Sequence, residues 1–291
     1  GLELTPGNEI VMGADGLAAG ELRENEAFNP VLKLAGEGRV RLGLSTGGEP
    51  DPMPSAEERA GDRAIMRRGL DWCARHGITS IQNMDGNYYQ LELLSEIEAE
   101  GDLTCRVKVP FHYKNFMTLD MLEKASDMAE RYAGEWLSSG MVKLFYDGVL
   151  DSWTAVMIEP YADRTDWAVR AVLDGYEAAA KANGKRDSRH RVEHVELTTA
   201  TDIGRFADLG VIASMQPPHP PGAMTFPLEP TVSRIGRERW PYAYPTRSLI
   251  EAGAHVVFAS DWPVAPIDPI EGMQAAMLRK PWAEDMPDQS V

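Results

Sequence analysis

From residue 55 onward the chain alternates between two rhythms. Ser55 and Glu58, following Pro54, form the S-x-x-E of a capping box, and Ile65, Met66, Leu70 and Trp72 then recur at helical spacing until Gly77 stops them. Stretches that read as strands follow at 78–82, 104–111, 141–145, 191–195 and 211–215. Stretches that read as helices fall at 88–100, 119–137, 168–182, 199–209 and 246–252, closed by Gly101, Gly140, Gly184, Gly210 and Gly253. The last strand-like run, His255 to Val264, carries Val256, Val257, Phe258 and Ala259 in unbroken succession, as in a strand covered on both faces. Pro263, with no N–H for a ladder, ends it.

Helix, glycine, strand in repetition is the mark of βα units on a parallel sheet. About six such strands exceed what a small doubly wound domain needs and approach the eight of a closed barrel. The predicted class is therefore α/β, a (β/α)8 TIM-like barrel over residues 51–291. Residues 1–50 are predicted to be a β-rich region attached to it. There Gly13-Ala14-Asp15-Gly16 separates Ile10-Val11-Met12 from Leu17 as in a hairpin, and Arg39 to Leu44 alternates like a half-exposed strand. One interval is too long for the repeat. Between the strands at Met141 and Arg191 stand a turn-rich loop at Tyr161-Ala162-Asp163-Arg164 and a single helix, which leaves room for a missing strand and helix. The chain also opens without Met, at Gly1-Leu2-Glu3-Leu4, as a mature form, a fragment or the ordered part of a longer chain would.

Composition narrows the partners. The 291 residues hold 29 Lys and Arg against 45 Asp and Glu, a formal charge of -16. That balance disfavours the nucleic-acid backbone, whose recognition needs clustered cations. No apolar run is long enough to span a bilayer and no charged-then-apolar leader is present, so the expectation is a soluble, cytoplasmic protein, with a homo-oligomer allowed for. Cys73 and Cys105 lack metal-type spacing and read as buried thiols.

Polar residues at the carboxyl ends of the predicted strands form a set, and parallel α/β folds gather their chemistry at that edge. Its members are Gln82 and Asn83, His112, Lys143 with Asp147, His194, Gln216 with His219, and Asp261. Gln82 and His112 taken singly read as loop polar groups. Lys143 lies inside Met141-Val142-Lys143-Leu144-Phe145, read as a central strand, where an unpaired ammonium costs several kcal/mol. It is expected either to meet a carboxylate such as Asp147 or to become a carbamate whose oxygens bind metal. His190 and His194, four apart, share one face of a strand, with His194 nearer the carboxyl end, and His190 reads as a core residue. Asp261 closes its strand either as a catalytic carboxylate or as the cap of the next turn. No phosphate-cradling glycine loop and no G-x-S-x-G elbow occurs, which weakens nucleophilic serine chemistry.

Together Met141-Val142-Lys143-Leu144-Phe145-Tyr146-Asp147-Gly148, Arg191-Val192-Glu193-His194, Gln216-Pro217-Pro218-His219 and Phe258-Ala259-Ser260-Asp261-Trp262-Pro263-Val264 resemble the amidohydrolase superfamily, most of all the branch that includes N-substituted formamide deformylase. The resemblance implies a (β/α)8 barrel holding one or two divalent metals, usually zinc. It implies that Lys143, often carboxylated in that family, His194 and Asp261 are metal ligands, that Asp261 also moves protons, and that His219 contacts substrate or transition state. It implies hydrolysis of a non-peptide C–N bond, an amide or N-acyl group on a small molecule, by metal-activated water. The family's His-x-His pair of strand one and its strand-five histidine before Ala168 are absent. Both absences, and that of the family's small β-sandwich, fit a chain that omits an N-terminal and an internal stretch. A genuine loss of ligands is the rival, and with it a catalytically inactive barrel that only binds ligands.

Overall fold

Ser55 opens the first long helix as its sequence requires. Its Oγ accepts from the Glu58 backbone N–H at 3.3 Å while Glu58 Oε2 accepts from the Ser55 N–H at 2.8 Å. The computed structural model describes residues 9–23, 49–114, 117–148, 169–224 and 226–279, together with residues 4, 27–28, 30–31, 34 and 150. The expected strand at Arg39–Leu44, the loop at Tyr161–Arg164 and the segment before Ala168 lie outside these residues. The chain divides into two units, residues 1–145 and 146–291.

The first unit begins with the expected hairpin. Strands β1 (Glu9–Met12) and β2 (Ala18–Arg23) pair antiparallel, closed where the Gly13 N–H donates to the Leu17 carbonyl at 2.7 Å. Helix α1 (Ala56–Arg75) ends at His76, followed by Gly77 at φ 71°, and is followed by β3 (Ser80–Gln82) and α2 (Tyr88–Ala99). Leu91, Leu93, Leu94 and Ile97 bury the apolar face of α2. A ladder of ion pairs joins the two helices, with Arg59 and Arg63 of α1 reaching Glu96 of α2.

Two predicted elements divide differently. The single strand at 104–111 is two strands, β4 (Arg106–Lys108) and β5 (Phe111–Tyr113), because Pro110 cannot donate to the ladder. The helix predicted to run from Leu119 to Leu137 is a 3-10 turn at Leu119–Leu122 and α3 (Glu123–Arg131), and Leu137 belongs instead to β6 (Leu137–Ser138). A Cβ at Gly134 would come within 2.9 Å of the Leu137 carbonyl, so the turn between them requires glycine. Strand β7 (Val142–Leu144) completes the unit. The strands β3, β4 and β6 form one parallel sheet, and β5 and β7 another.

The second unit follows the predicted rhythm closely. It comprises α4 (Val169–Asn183), β8 (Arg191–Glu193), α5 (Ala200–Leu209), β9 (Ile212–Met215), α6 (Thr231–Ile235), α7 (Thr246–Glu251), β10 (Val256–Phe258) and α8 (Pro269–Leu278). The sequence pattern missed α6 and α8. Thr199 caps α5 and Gly210, at φ 64°, ends it in the left-handed conformation that favours glycine. The sheet order is β10-β9-β8, all parallel, with Glu193 opposite Ser214 and Phe258 opposite Met215. Leu173 of α4, Phe206 of α5, Ala213 and Met215 of β9 and Leu249 of α7 pack one face of that sheet against its helices.

The expected closed eight-stranded barrel is not what the described strands form. Closure needs every strand to have two neighbours, and among the described residues only β4 and β9 do. The parallel α/β character stands. Among the described residues no helix is long and apolar enough to cross a membrane.

Phe206 is fully buried in the second unit whereas Ile250 is exposed. Phe206→Ala is expected to lower that unit's unfolding free energy by about 3–5 kcal/mol. Ile250→Ala should change it by less than about 0.5 kcal/mol. Urea unfolding followed by circular dichroism measures both, and similar losses from the two variants would contradict this core.

Candidate metal centre

Three parallel strands in one sheet bring their carboxyl ends to a common edge, and in the second unit each end turns out a polar side chain. After β8 the backbone leaves the strand region at His194, φ 70°, and Val195, φ 48°. These are conformations that side chains with a Cβ rarely adopt, least of all a β-branched one. They are held by two hydrogen bonds, from the His194 N–H to the Ser214 carbonyl and from the Val195 N–H to the Glu193 carbonyl, each 2.9 Å. After β10, Asp261 likewise stands at φ 58°, and its carbonyl accepts from the Val264 N–H at 2.8 Å. After β9, Pro217 and Pro218 pre-set the turn that returns the His219 N–H to the Gln216 carbonyl at 3.0 Å.

The result is a convergence. One nitrogen from each of His194 and His219 and one carboxylate oxygen of Asp261 lie within 4.8 Å of one another. The two imidazoles stack with centroids 5.5 Å apart and planes 11° from parallel, and Phe226 packs against His219 at 5.2 Å. His219 Nε2 is 3.6 Å from Asp261 Oδ2, too long for a hydrogen bond. His194 Nδ1 and His219 Nε2 are both buried with no hydrogen-bond partner among the described residues. Burial, with the adjacent His194 adding to it, lowers the pKa of His219 to about 4. The ring is therefore neutral at ordinary pH and keeps a lone pair for a ligand.

Two buried, unpartnered imidazole nitrogens beside a carboxylate oxygen form a donor set suited to a divalent cation. A cation would satisfy all three at once, which a proton shared between stacked rings would not. His194, His219 and Asp261 are thus brought together, and His219, read from sequence as a substrate contact, stands among them as a third donor atom.

Lys143 belongs to the first unit, and its surroundings differ from those the sequence suggested. Among the described residues strand β7 pairs with β5 alone, Val142 and Leu144 on either side of Lys143 are 43% and 57% exposed, and the lysine is half-buried. The expected burial cost in a central strand therefore does not apply. Its Nζ lies 4.5 Å from the centroid of the Phe145 ring, and its in-register partner on β5 is His112.

His112 is no loop residue. It is buried on β5 with Nδ1 2.8 Å from Asp85 Oδ1, a pairing across 27 residues that periodicity could not reveal. Asn83 binds the Gln90 side chain and accepts from the Asp85 N–H at 3.0 Å, shaping that turn. His190, part-buried and just before β8, stacks on Tyr176 at 4.4 Å, whereas His194 lies beyond that strand at φ 70°. Sequence reasoning passed over Glu193, whose carboxylate lies 2.5 Å from Arg191 Nε and accepts from Gln216 Nε2 at 3.5 Å. Its place directly before His194 was the available signal.

The chain is similar to known proteins. Putative amidohydrolase YtcJ of Bacillus subtilis (strain 168) is 26% identical over 266 residues, covering 78% of this chain and 47% of its own. Protein LONG AFTER FAR-RED 3 of Arabidopsis thaliana is 32% identical over 181 residues, covering 50% of this chain and 30% of its own. The chain thus spans less than half the length of either relative. Among solved structures, an uncharacterized metal-dependent hydrolase from Pyrococcus horikoshii OT3 matches with a TM-score of 0.60 at 22% identity, over 78% of this chain and 49% of its own. One from Pyrococcus furiosus matches with a TM-score of 0.60 at 19% identity, over 94% and 57%. The model of the amidohydrolase family matches residues 2–168 and 162–291, and this chain belongs to that family.

Proposed function

We propose that the protein is a metal-dependent hydrolase that cleaves a non-peptide C–N bond, an amide or N-acyl group, of a small molecule, in the manner of the branch that includes N-substituted formamide deformylase. The observation that carries the reading is the convergence of His194, His219 and Asp261, with two ring nitrogens buried and unpartnered among the described residues. Zinc suits such nitrogen and oxygen donors. When bound, the ion supplies Lewis acidity and lowers the pKa of water toward about 7. The (β/α)8 barrel remains part of the proposal, supported by two three-stranded parallel sheets with helices between their strands.

The chain's own residues have distinct tasks in this reading. His194 and His219 would hold the ion through ring nitrogens. Asp261 accepts the proton of the attacking water on a carboxylate oxygen and returns it to the departing nitrogen. Lys143, carboxylated, is proposed as a further oxygen donor on the strength of its motif.

Zinc-supplemented protein is expected to retain zinc by elemental analysis, and His194→Ala combined with His219→Ala to lose it. A wild-type chain that retains none would remove the reading. Asp261→Ala should keep its circular dichroism spectrum and lose about 10²–10⁴-fold in turnover of a competent amide.

Metal-free protein carries a pH signature as well. His219 titrates near 4 when folded and near 6.5 when unfolded. Between those values the unfolded chain takes up a proton that the folded chain refuses, so stability falls as pH is lowered from about 6.5 towards 4. His219→Gln should flatten that part of the urea-midpoint profile, and an unchanged slope would contradict the assignment of His219 as a buried neutral ring.

A further inference from the structure

Gln216 stands one residue beyond β9, the middle strand of the β10-β9-β8 sheet. The Met215 side chain before it enters the core between sheet and helices, so alternation turns Gln216 to the opposite face. On one side the His194 N–H binds the Ser214 carbonyl, on the other the Ala259 N–H binds the Met215 carbonyl, and the Gln216 carbonyl accepts from His219. Gln216 therefore sits at the strand end flanked by the segments that carry all three candidate ligands. It is only 4% exposed.

Its carboxamide has a defined orientation. A carboxylate only accepts hydrogen bonds, so Glu193 Oε2, 3.5 Å away, takes the Gln216 NH2 group, and Arg191 in turn holds Glu193. Gln216 Oε1 is left buried with no hydrogen-bond partner among the described residues. A buried acceptor without a donor is costly and requires an explanation. The group in a small-molecule amide that meets this need is the N–H beside the bond to be cleaved.

We infer that Gln216 Oε1 accepts a hydrogen bond from the substrate N–H and makes the site selective for amides that carry one over N-alkylated amides and esters. Arg191 and Glu193 act as positioning residues that keep the oxygen, and not the NH2, turned to the ligand. The inference rests on the amide-hydrolase reading and deepens it by naming the substrate class.

The test uses zinc-loaded full chain and a panel of N-substituted formamides and acetamides, each with its N-methyl partner and the corresponding ester. kcat and KM are measured for each, and dissociation constants are measured on the Asp261→Ala protein. The N–H member of a pair should be preferred about tenfold or more in kcat/KM and in binding, and Gln216→Met should reduce that preference to within about twofold. Zinc content should be unchanged in Gln216→Met, and Glu193→Gln, which frees the carboxamide to flip, should weaken the preference while leaving the fold intact. Pairs bound and turned over alike by the wild type would overturn the inference, as would a Gln216→Met protein that loses its zinc. Selective binding of N–H amides without hydrolysis of any would instead sink the hydrolase reading and leave Gln216 as the recognising group.

Discussion

The arrangement of the second unit depends on the register of β9 with its two neighbours. Ile212 and His194 tie β9 to the segment around β8 through hydrogen bonds of 2.8 and 2.9 Å, and Ala213 and Ala259 tie it to β10 at 2.9 and 3.0 Å. Side chains alternate with a period of two, so a slip of one residue would exchange the faces. Ala213 and Met215 would leave the core, and Ser214 and Gln216 would enter it. Burial of Ala213, Met215, Phe206 and Leu249 therefore does more than stabilise the unit. It fixes which residues stand at the strand ends, and so which side chains the following turns can bring together.

Those turns are held against their local preferences. Left-handed backbone at His194, Val195 and Asp261 costs on the order of 1–3 kcal/mol at each residue. Buried ring nitrogens without partners add a further cost of about 1–3 kcal/mol each. Such strain persists where the surrounding packing over-determines the conformation. Arg189, Tyr244 and Arg279 of the same unit are also left-handed, but at the strand ends the strain coincides with unpartnered ring nitrogens beside a carboxylate, which marks that edge as a place shaped for a ligand more than for stability.

Much of this was legible in the sequence because it is local. The Ser55 and Glu58 capping box and the stop at Gly210 are each specified within a few residues, and each forms as the sequence predicts. Asp261 was legible for a related reason, since a polar residue closing an apolar run announces a strand end, and His194 because it falls near the carboxyl end of its strand-like stretch. What escaped was non-local. Whether Lys143 is covered depends on which strand lies beside β7, and the pairing of His112 with Asp85 depends on how the turn after β3 meets β5. The break at Pro110 was visible as a residue but not as a consequence, because the ladder resumes beyond it, with Val109 bound to Ser138 and Phe111 to Met141. An uninterrupted apolar run could conceal that change of partner.

The unequal exposure of the three converging groups separates their roles. The Asp261 side chain is 33% exposed and that of His219 only 8%. A group proposed to exchange protons with water must be reachable by water, and of these two side chains Asp261 is the one so placed. His219, held neutral by burial, is a poor proton acceptor near pH 7 for the same reason that it is a good nitrogen donor. Exchanging the two environments would give a protonatable histidine and a buried carboxylate whose pKa rises, and neither would then suit its task. On the proposed reading, this difference in exposure, with Phe226 packed on His219 and the turn after β10 open, suits the rings to holding an ion and Asp261 to moving a proton.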